Sequence, residues 1–117
     1  MLRQAPSLSG MAWLVLFVSG LFETAWAVSL KQSDGFSKLG WTVAFAVTAA
    51  LSLAGLAYAL KTLPIGSAYA VWTGIGAVGA ALVGVLFLGE AATALRALGI
   101  ALIVGGIIAL RVAGVEA

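Results

Sequence analysis

Short polar segments divide the chain into long apolar runs. Four runs cover about residues 11–30, 39–60, 65–88 and 95–110. A run of about 20 apolar residues matches a hydrocarbon core of ~30 Å at a helical rise of 1.5 Å per residue. Because backbone groups inside lipid must hydrogen-bond within their own segment, each run is predicted to be a helix. The linkers are short, so consecutive helices should be antiparallel.

The remaining residues complete the predicted organisation. Residues 1–10 are polar and contain a proline, so we expect a disordered N-terminal extension. Residues 11–111 form one four-helix transmembrane domain, and residues 112–117 form a C-terminal tail. An alternative for the first run is a cleaved signal peptide, because an Ala-Trp-Ala pattern lies near its end. A glutamate beside that pattern and the three later runs favour a retained helix.

Composition supports an all-α integral membrane protein. Apolar residues make up 63% of the chain and charged residues 9%, whereas soluble domains have roughly 25% charged residues and less than half apolar ones. The net charge of +2 is spread along the chain, which excludes a nucleic-acid partner. Cysteine and histidine are absent and the few carboxylates are scattered, so neither a disulfide nor a metal site is expected.

The basic residues are shared evenly between the two sides of the membrane. Four spans place three of them on the side of both chain ends and three on the other side: Arg3, Lys61 and Arg111 against Lys31, Lys38 and Arg96. The positive-inside rule therefore gives no orientation. Either the chain has too few charges to count, or it inserts both ways and pairs as an antiparallel dimer, which reproduces the inverted repeats of larger transporters.

Glu23 is the one charged residue well inside an apolar run. A charge at mid-membrane costs about 2.5–3.5 kcal/mol on insertion scales, so such residues usually face a cavity and have a function. In a dimer, two such carboxyl groups would titrate as a coupled pair. Two carboxyl groups that bind either protons or a cation, but not both at once, provide the minimal mechanism of an antiporter. Ser52, midway along the second run, could hydrogen-bond Glu23 or its own helix, and a protonated structural glutamate is the alternative.

Aromatic residues are the other candidates for binding a cation. Trp26 follows the glutamate by three residues, on the same helix face, and Tyr69 and Trp72 repeat that spacing in the third run. Aromatic faces stabilise desolvated cations by about 0.5–2 kcal/mol. Anchoring at the membrane interface is an equal alternative for Tyr69 and Trp72, and it is the interpretation for Trp13 and Trp41 at helix starts.

Glycines mark two further features. Gly74, Gly76 and Gly79 spell G-x-G-x-x-G, but no strand precedes them, so the dinucleotide-binding interpretation is rejected. Close helix packing and local flexibility of the third helix are expected instead. Gly99 and Gly106 lie two turns apart on the fourth helix and predict a helix–helix contact, in particular a dimer contact.

These residues resemble a known family. Across residues 11–111 the chain is similar to the small multidrug resistance transporters, most closely to their guanidinium-exporter branch. Residues 20–23 (Gly-Leu-Phe-Glu) with residues 25–27 (Ala-Trp-Ala) resemble the first-helix motif of that branch. Residues 61–79 resemble its third-helix signature nearly letter for letter.

The resemblance implies an antiparallel homodimer in the cytoplasmic membrane that exchanges guanidinium for protons. It implies that Glu23 is the carboxylate shared by proton and substrate, with Trp26, Ser52, Tyr69 and Trp72 as supporting residues. It also implies that the third-helix glycines allow bending and that the fourth-helix glycines form the dimer contact. Protons are the coupling ion, and no other cofactor is expected. The protein is then a transporter and not an enzyme.

Three alternatives stay open. The other branch of the family exports lipophilic quaternary ammonium compounds, and it typically has a smaller residue at the position of Trp26, where a tryptophan should narrow the site. A passive cation pore or a structural helix bundle would need no proton exchange. A paralogous subunit could replace the second copy of the chain.

The even distribution of basic residues predicts that orientation is easily biased. Lysines added at the C-terminus should fix one orientation in the membrane and lower activity, because antiparallel pairs become scarce. Reporters fused to the C-terminus would measure orientation in cells. Full activity in a population with one orientation would contradict the antiparallel dimer.

Overall fold

The computed structural model describes residues 6–116, which form four helices and no strand. The helices are α1 (Pro6–Gln32), α2 (Leu39–Ala59), α3 (Ile65–Phe87) and α4 (Ala94–Glu116). Each contains a stretch long and apolar enough to cross a membrane. The prediction of four transmembrane helices is therefore confirmed.

The two ends of the helical domain differ from the prediction. α1 begins at Pro6, so residues 6–10, expected to be disordered, are helical, while residues 1–5 lie outside the described part. Proline is well suited to the first turn of a helix because no N–H is required there. At the other end, α4 continues to Glu116 through most of the predicted tail.

α1 is the central helix of the bundle. It packs closely against both α2 and α3, whereas the close backbone packing of α4 is with α3 among the described helices. Apolar association gains little in lipid, so membrane helices pack closely where their side chains are small. A Cβ atom built at Gly20 would lie 2.8 Å from Ile75 Cγ2 on α3. One built at Gly55 on α2 would lie 2.6 Å from Ser19 Cβ on α1.

α4 is the least covered helix. On one side, Ile103 and Ile107 of α4 pack against Gly74 of α3. Beside this contact, no atom lies within 4 Å of a Cβ built at Gly99 or Gly106. The single chain thus leaves open space at these two positions, and the helix contact predicted for them stays a prediction.

The loops turn tightly and place polar groups at the helix ends. Between α1 and α2, the buried Ser33 hydroxyl donates to the Leu30 carbonyl (2.7 Å) and accepts the Phe36 amide (3.1 Å). Between α3 and α4, Gly89 adopts a φ of +75°, a left-handed conformation that ends helices. An exposed ion pair joins Glu90 to Arg96 at 3.0 Å, which contributes little to stability at a water-exposed site.

The surroundings of the two tryptophans interpreted as interface anchors are unlike each other. Trp41 is exposed at the start of α2. Trp13 is instead buried in the core, with the Arg111 guanidinium 4.7 Å from its ring centroid. The interface interpretation rested on the position of both residues at helix starts. It does not fit Trp13, because the end of α4 supplies a cation that covers the ring.

The close approach of α1 and α2 predicts that Gly55→Ala destabilises the fold. The new Cβ would collide with Ser19, and overpacking of this kind costs about 1–3 kcal/mol. The control is Gly40→Ala, also on α2, where no neighbour lies within 4 Å, so helix propensity should make it neutral or stabilising by up to ~1 kcal/mol. Unfolding in mixed micelles, followed by circular dichroism, would measure both. Equal effects would contradict the packing described here.

Candidate functional site

A buried polar layer joins the first three helices. The Ser52 hydroxyl on α2 donates to the Ser19 backbone carbonyl on α1 at 2.7 Å. The Trp72 indole N–H on α3 donates in turn to the Ser52 hydroxyl at 3.1 Å. A hydroxyl can donate one hydrogen bond and accept others, so a single serine connects all three helices. All three side chains are buried.

Glu23 lies one helical turn above this layer. It follows Ser19 by four residues on α1, as Gly76 follows Trp72 on α3, so the two pairs of residues are stacked along the helices. The Glu23 side chain lies directly against Gly76, where a built Cβ would fall 2.8 Å from Glu23 Cγ. The missing side chain at position 76 therefore provides the space that the carboxyl group occupies.

The Glu23 carboxyl group has an unused hydrogen-bonding atom. Its Oε1 is buried and has no hydrogen-bond partner among the residues that the structure describes. A buried polar atom without a partner costs about 1–3 kcal/mol, and such an atom in a native protein calls for an explanation. Its position inside a membrane helix favours a functional role as a receptor for a proton or a cation.

Trp26 packs against α2. Its ring meets the Phe45 ring edge-on at 5.9 Å between centroids, and Phe45 meets Phe36 of the first loop at 5.7 Å. The Trp26 Nε1 atom is buried and finds no acceptor within residues 6–116. An indole N–H without an acceptor therefore lies one turn beyond the carboxyl group, on the same helix.

Tyr69 and Trp72 have different surroundings, although a site role and an interface role were equally expected for both. Their rings are adjacent, at 5.6 Å between centroids and an interplanar angle of 36°. Trp72 is only 5% exposed, and its N–H bonds within the bundle. Tyr69 is 52% exposed. An interface anchor keeps its polar end in the membrane interface, so this geometry disfavours that role for Trp72.

The third-helix glycines each meet a different neighbour. Gly74 faces α4, Gly76 faces Glu23, and Gly79 faces Thr24 of α1. α3 is a continuous helix through all three positions. The structure thus places these glycines at close helix contacts, and bending at them stays a prediction.

The sequence-based prediction omitted three residues that contact the site. Ser19 provides the carbonyl that Ser52 binds, Phe45 packs on Trp26, and the Thr24 hydroxyl donates to the Gly76 carbonyl at 3.1 Å. Ser19 could have been found, since it precedes the glutamate by one turn on the same helix face. Phe45 carries no such signal, because it is one of many apolar residues in its run. Within the described part of the chain, no three potential metal ligands come together.

Comparison with known proteins assigns the chain to a family. The family model described as Small Multidrug Resistance protein matches residues 11–103. The chain belongs to this family. Proteins named guanidinium exporter are similar to it: one from Escherichia coli O6:H1 is 54% identical over 101 residues, covering 86% of this chain and 96% of the relative.

Two further relatives in this small multidrug resistance family carry the same name. The guanidinium exporter of Salmonella typhimurium is 52% identical over 101 residues, which cover 86% of this chain and 96% of the relative. The guanidinium exporter of Yersinia pseudotuberculosis is 52% identical over 103 residues, which cover 88% of this chain and 99% of the relative. With four membrane-spanning helices and bacterial relatives of this family, the chain is a multi-pass protein of the cytoplasmic (inner) membrane.

The polar layer predicts a measurable coupling between Ser52 and Trp72. Ser52→Ala should lower stability by about 1–2 kcal/mol, because the buried Trp72 N–H loses its acceptor. Trp72→Phe removes the donor, and the double variant should cost less than the sum of the two single changes. Unfolding free energies of the four proteins in mixed micelles would give the coupling energy. Strict additivity would show that the hydrogen bond does not form.

Proposed function

We propose that this small multidrug resistance protein exports guanidinium and small guanidinyl cations across the cytoplasmic membrane in exchange for protons. The observation that carries the proposal is the Glu23 carboxyl group, set inside a membrane-spanning helix with a buried oxygen that no described residue binds. The guanidinium exporters that share about half of its residues support the choice of substrate.

The chemistry of the site suits a guanidinium ion. The ion is planar and permanently charged near neutral pH, and it pairs with a carboxylate through two parallel hydrogen bonds. Flat aromatic faces stabilise such a cation further. Glu23 supplies the carboxylate in this proposal, while Trp26, Tyr69 and Trp72 supply rings and Ser52 fixes the orientation of Trp72.

Proton exchange follows from the use of one carboxyl group for two ligands. A protonated Glu23 is neutral and gives a cation no ionic partner, whereas an ionised Glu23 in lipid needs a cation beside it. Release of a proton and uptake of the substrate therefore favour each other. This competition converts a proton gradient into export, with protons as the coupling ion and no other cofactor.

A second copy of the chain in the opposite orientation completes the proposed transporter. Three basic residues on each side of the membrane leave the insertion direction undecided. The single chain leaves open space beside Gly99 and Gly106 of α4, which suits close packing with another helix. Opposed copies would reproduce the inverted-repeat arrangement of larger transporters.

The decisive test is transport by the purified protein in liposomes. A proton gradient should drive guanidinium uptake by the unaltered protein, and Glu23→Gln should abolish it while the protein still inserts. Glu90→Gln is the matched control, since this carboxylate is exposed in the loop between α3 and α4 and paired with Arg96. Its transport should equal that of the unaltered protein.

The other outcomes separate the competing functions. Guanidinium movement that ignores an imposed pH gradient would indicate a passive pore. Transport of a large quaternary ammonium dye without transport of guanidinium would indicate the other branch of the family. Coupled uptake that persists in Glu23→Gln would overturn the role of the carboxyl group.

A further inference from the structure

Thr24 forms a hydrogen bond between α1 and α3 that has no role in the transport mechanism proposed above. Its hydroxyl donates a hydrogen bond to the Gly76 backbone carbonyl at 3.1 Å, across the interface between α1 and α3. Over the residues with described side chains, 10–113, this is the one side-chain hydrogen bond that joins α1 directly to α3. Thr24 is also the immediate neighbour of Glu23.

Threonine hydroxyls in helices usually bond to a carbonyl three or four residues earlier in their own helix. Thr42 and Thr48 follow this pattern, donating to Lys38 and Ala44 at 2.8 and 2.7 Å. The Thr24 hydroxyl reaches another helix instead. Its bond therefore depends on the relative position of α1 and α3, and it is lost when the two helices separate.

Thr24 fits between two glycines of α3. Gly79 lies so close that a built Cβ would be 3.0 Å from both Cβ and Cγ2 of Thr24 and would collide with its hydroxyl. Gly76, one turn away, accepts the hydrogen bond. A side chain at position 79 would push Thr24 away from the carbonyl that it binds, so the spacing of these glycines makes the contact possible.

Gly76 is thus contacted by two consecutive residues of α1. The Glu23 side chain occupies the space that a Cβ of Gly76 would need, and the Thr24 hydroxyl donates a hydrogen bond to the Gly76 carbonyl. Because both contacts act on one residue, the hydrogen bond of Thr24 restrains the distance between the α3 backbone and the carboxyl group.

We infer that Thr24 is a positioning residue, whose hydrogen bond to Gly76 holds α3 against the Glu23 carboxyl group and so limits access to it. The inference about access stands on the contacts alone. Its consequence for substrate binding rests on the proposed function. Thr24 does not touch the substrate in this arrangement; it acts through the position of Gly76.

The first test measures access to Glu23 without transport. A membrane-permeant carbodiimide reacts with carboxyl groups in lipid, and mass spectrometry of fragments locates the adduct on Glu23. Thr24→Val keeps the side-chain shape but removes the hydroxyl, and it should raise the labelling rate about three- to tenfold, the range that a single interhelical hydrogen bond supports. Thr24→Ser should keep the rate of the unaltered protein.

A second disrupting variant, Gly79→Ala, and two controls, Thr48→Val and Gly66→Ala, separate loss of the Thr24 contact from general effects of substitution. Thr48→Val removes a hydroxyl that bonds only within α2, and it should leave labelling unchanged. Gly79→Ala should raise labelling as Thr24→Val does, because it displaces Thr24 without altering it. Gly66→Ala on the same helix, with no atom within 4 Å, should have no effect. Equal labelling of Thr24→Val and the unaltered protein would overturn the inference.

The second test asks whether the contact positions α3 for substrate binding. In liposomes, Thr24→Val should raise the KM for guanidinium about three- to tenfold with little change in the maximal rate, and Thr24→Ser should restore it. Raised labelling with an unchanged KM would show that Thr24 is only structural and would overturn the positioning role. Absence of guanidinium transport by the unaltered protein would contradict the proposed function instead, and labelling would still decide the question of access.

Discussion

In lipid, α1 gains little by hiding apolar side chains, so its contacts with α2 and α3 depend on how closely the helix backbones approach. Gly20 and Gly55 permit that approach below the level of the carboxyl group, and Gly76 and Gly79 permit it at and above that level. Every polar contact of the site requires these short distances. The Ser52 hydroxyl reaches the α1 backbone and the Thr24 hydroxyl reaches the α3 backbone only because no side chain intervenes.

The same constraint explains how one carboxyl group is tolerated at this depth. Glu23 sits where α3 has no side chain, beside a layer in which Ser52 and Trp72 satisfy each other. The layer is fully paired, whereas the carboxyl oxygen above it is not. A network in which every polar group is hydrogen-bonded is rigid. The carboxyl oxygen next to it has no protein partner and is available to a proton or a cation. The fold therefore separates the hydrogen-bonded layer from the unpaired carboxyl oxygen by one helical turn.

Hydrophobic pattern was sufficient to predict the four spans, because lipid permits few alternatives to a helix for an apolar run of this length. It was also sufficient to single out Glu23, since a lone charge in such a run is costly. Helix periodicity placed Trp26 on the same face as the glutamate, but it could not show that the Trp26 ring packs on Phe45 of α2. Periodicity assigns a residue to a face, and only tertiary packing decides which helix that face meets.

The differences between prediction and structure also arise where local sequence pattern does not determine the tertiary contact or the local conformation. Trp13 was interpreted as an interface anchor from its place near a helix start, yet Arg111, almost one hundred residues later, covers its ring. Thr24 gave no signal, because its partner is a backbone carbonyl and every residue has one. The helical state of residues 6–10 was missed because a polar, proline-containing segment is typical of both a helix start and an irregular end.

The packing of the α4 backbone against α3 bears on the order in which the protein assembles during synthesis. α1 and α2 leave the ribosome first and can pair at once, with the Ser52 hydroxyl bound to the Ser19 carbonyl. When α3 arrives, the Trp72 indole N–H donates to the Ser52 hydroxyl, and Gly76 packs against the Glu23 side chain. α4 comes last, and none of its described residues donates a hydrogen bond to the polar layer, so this layer can form before the final helix is in place.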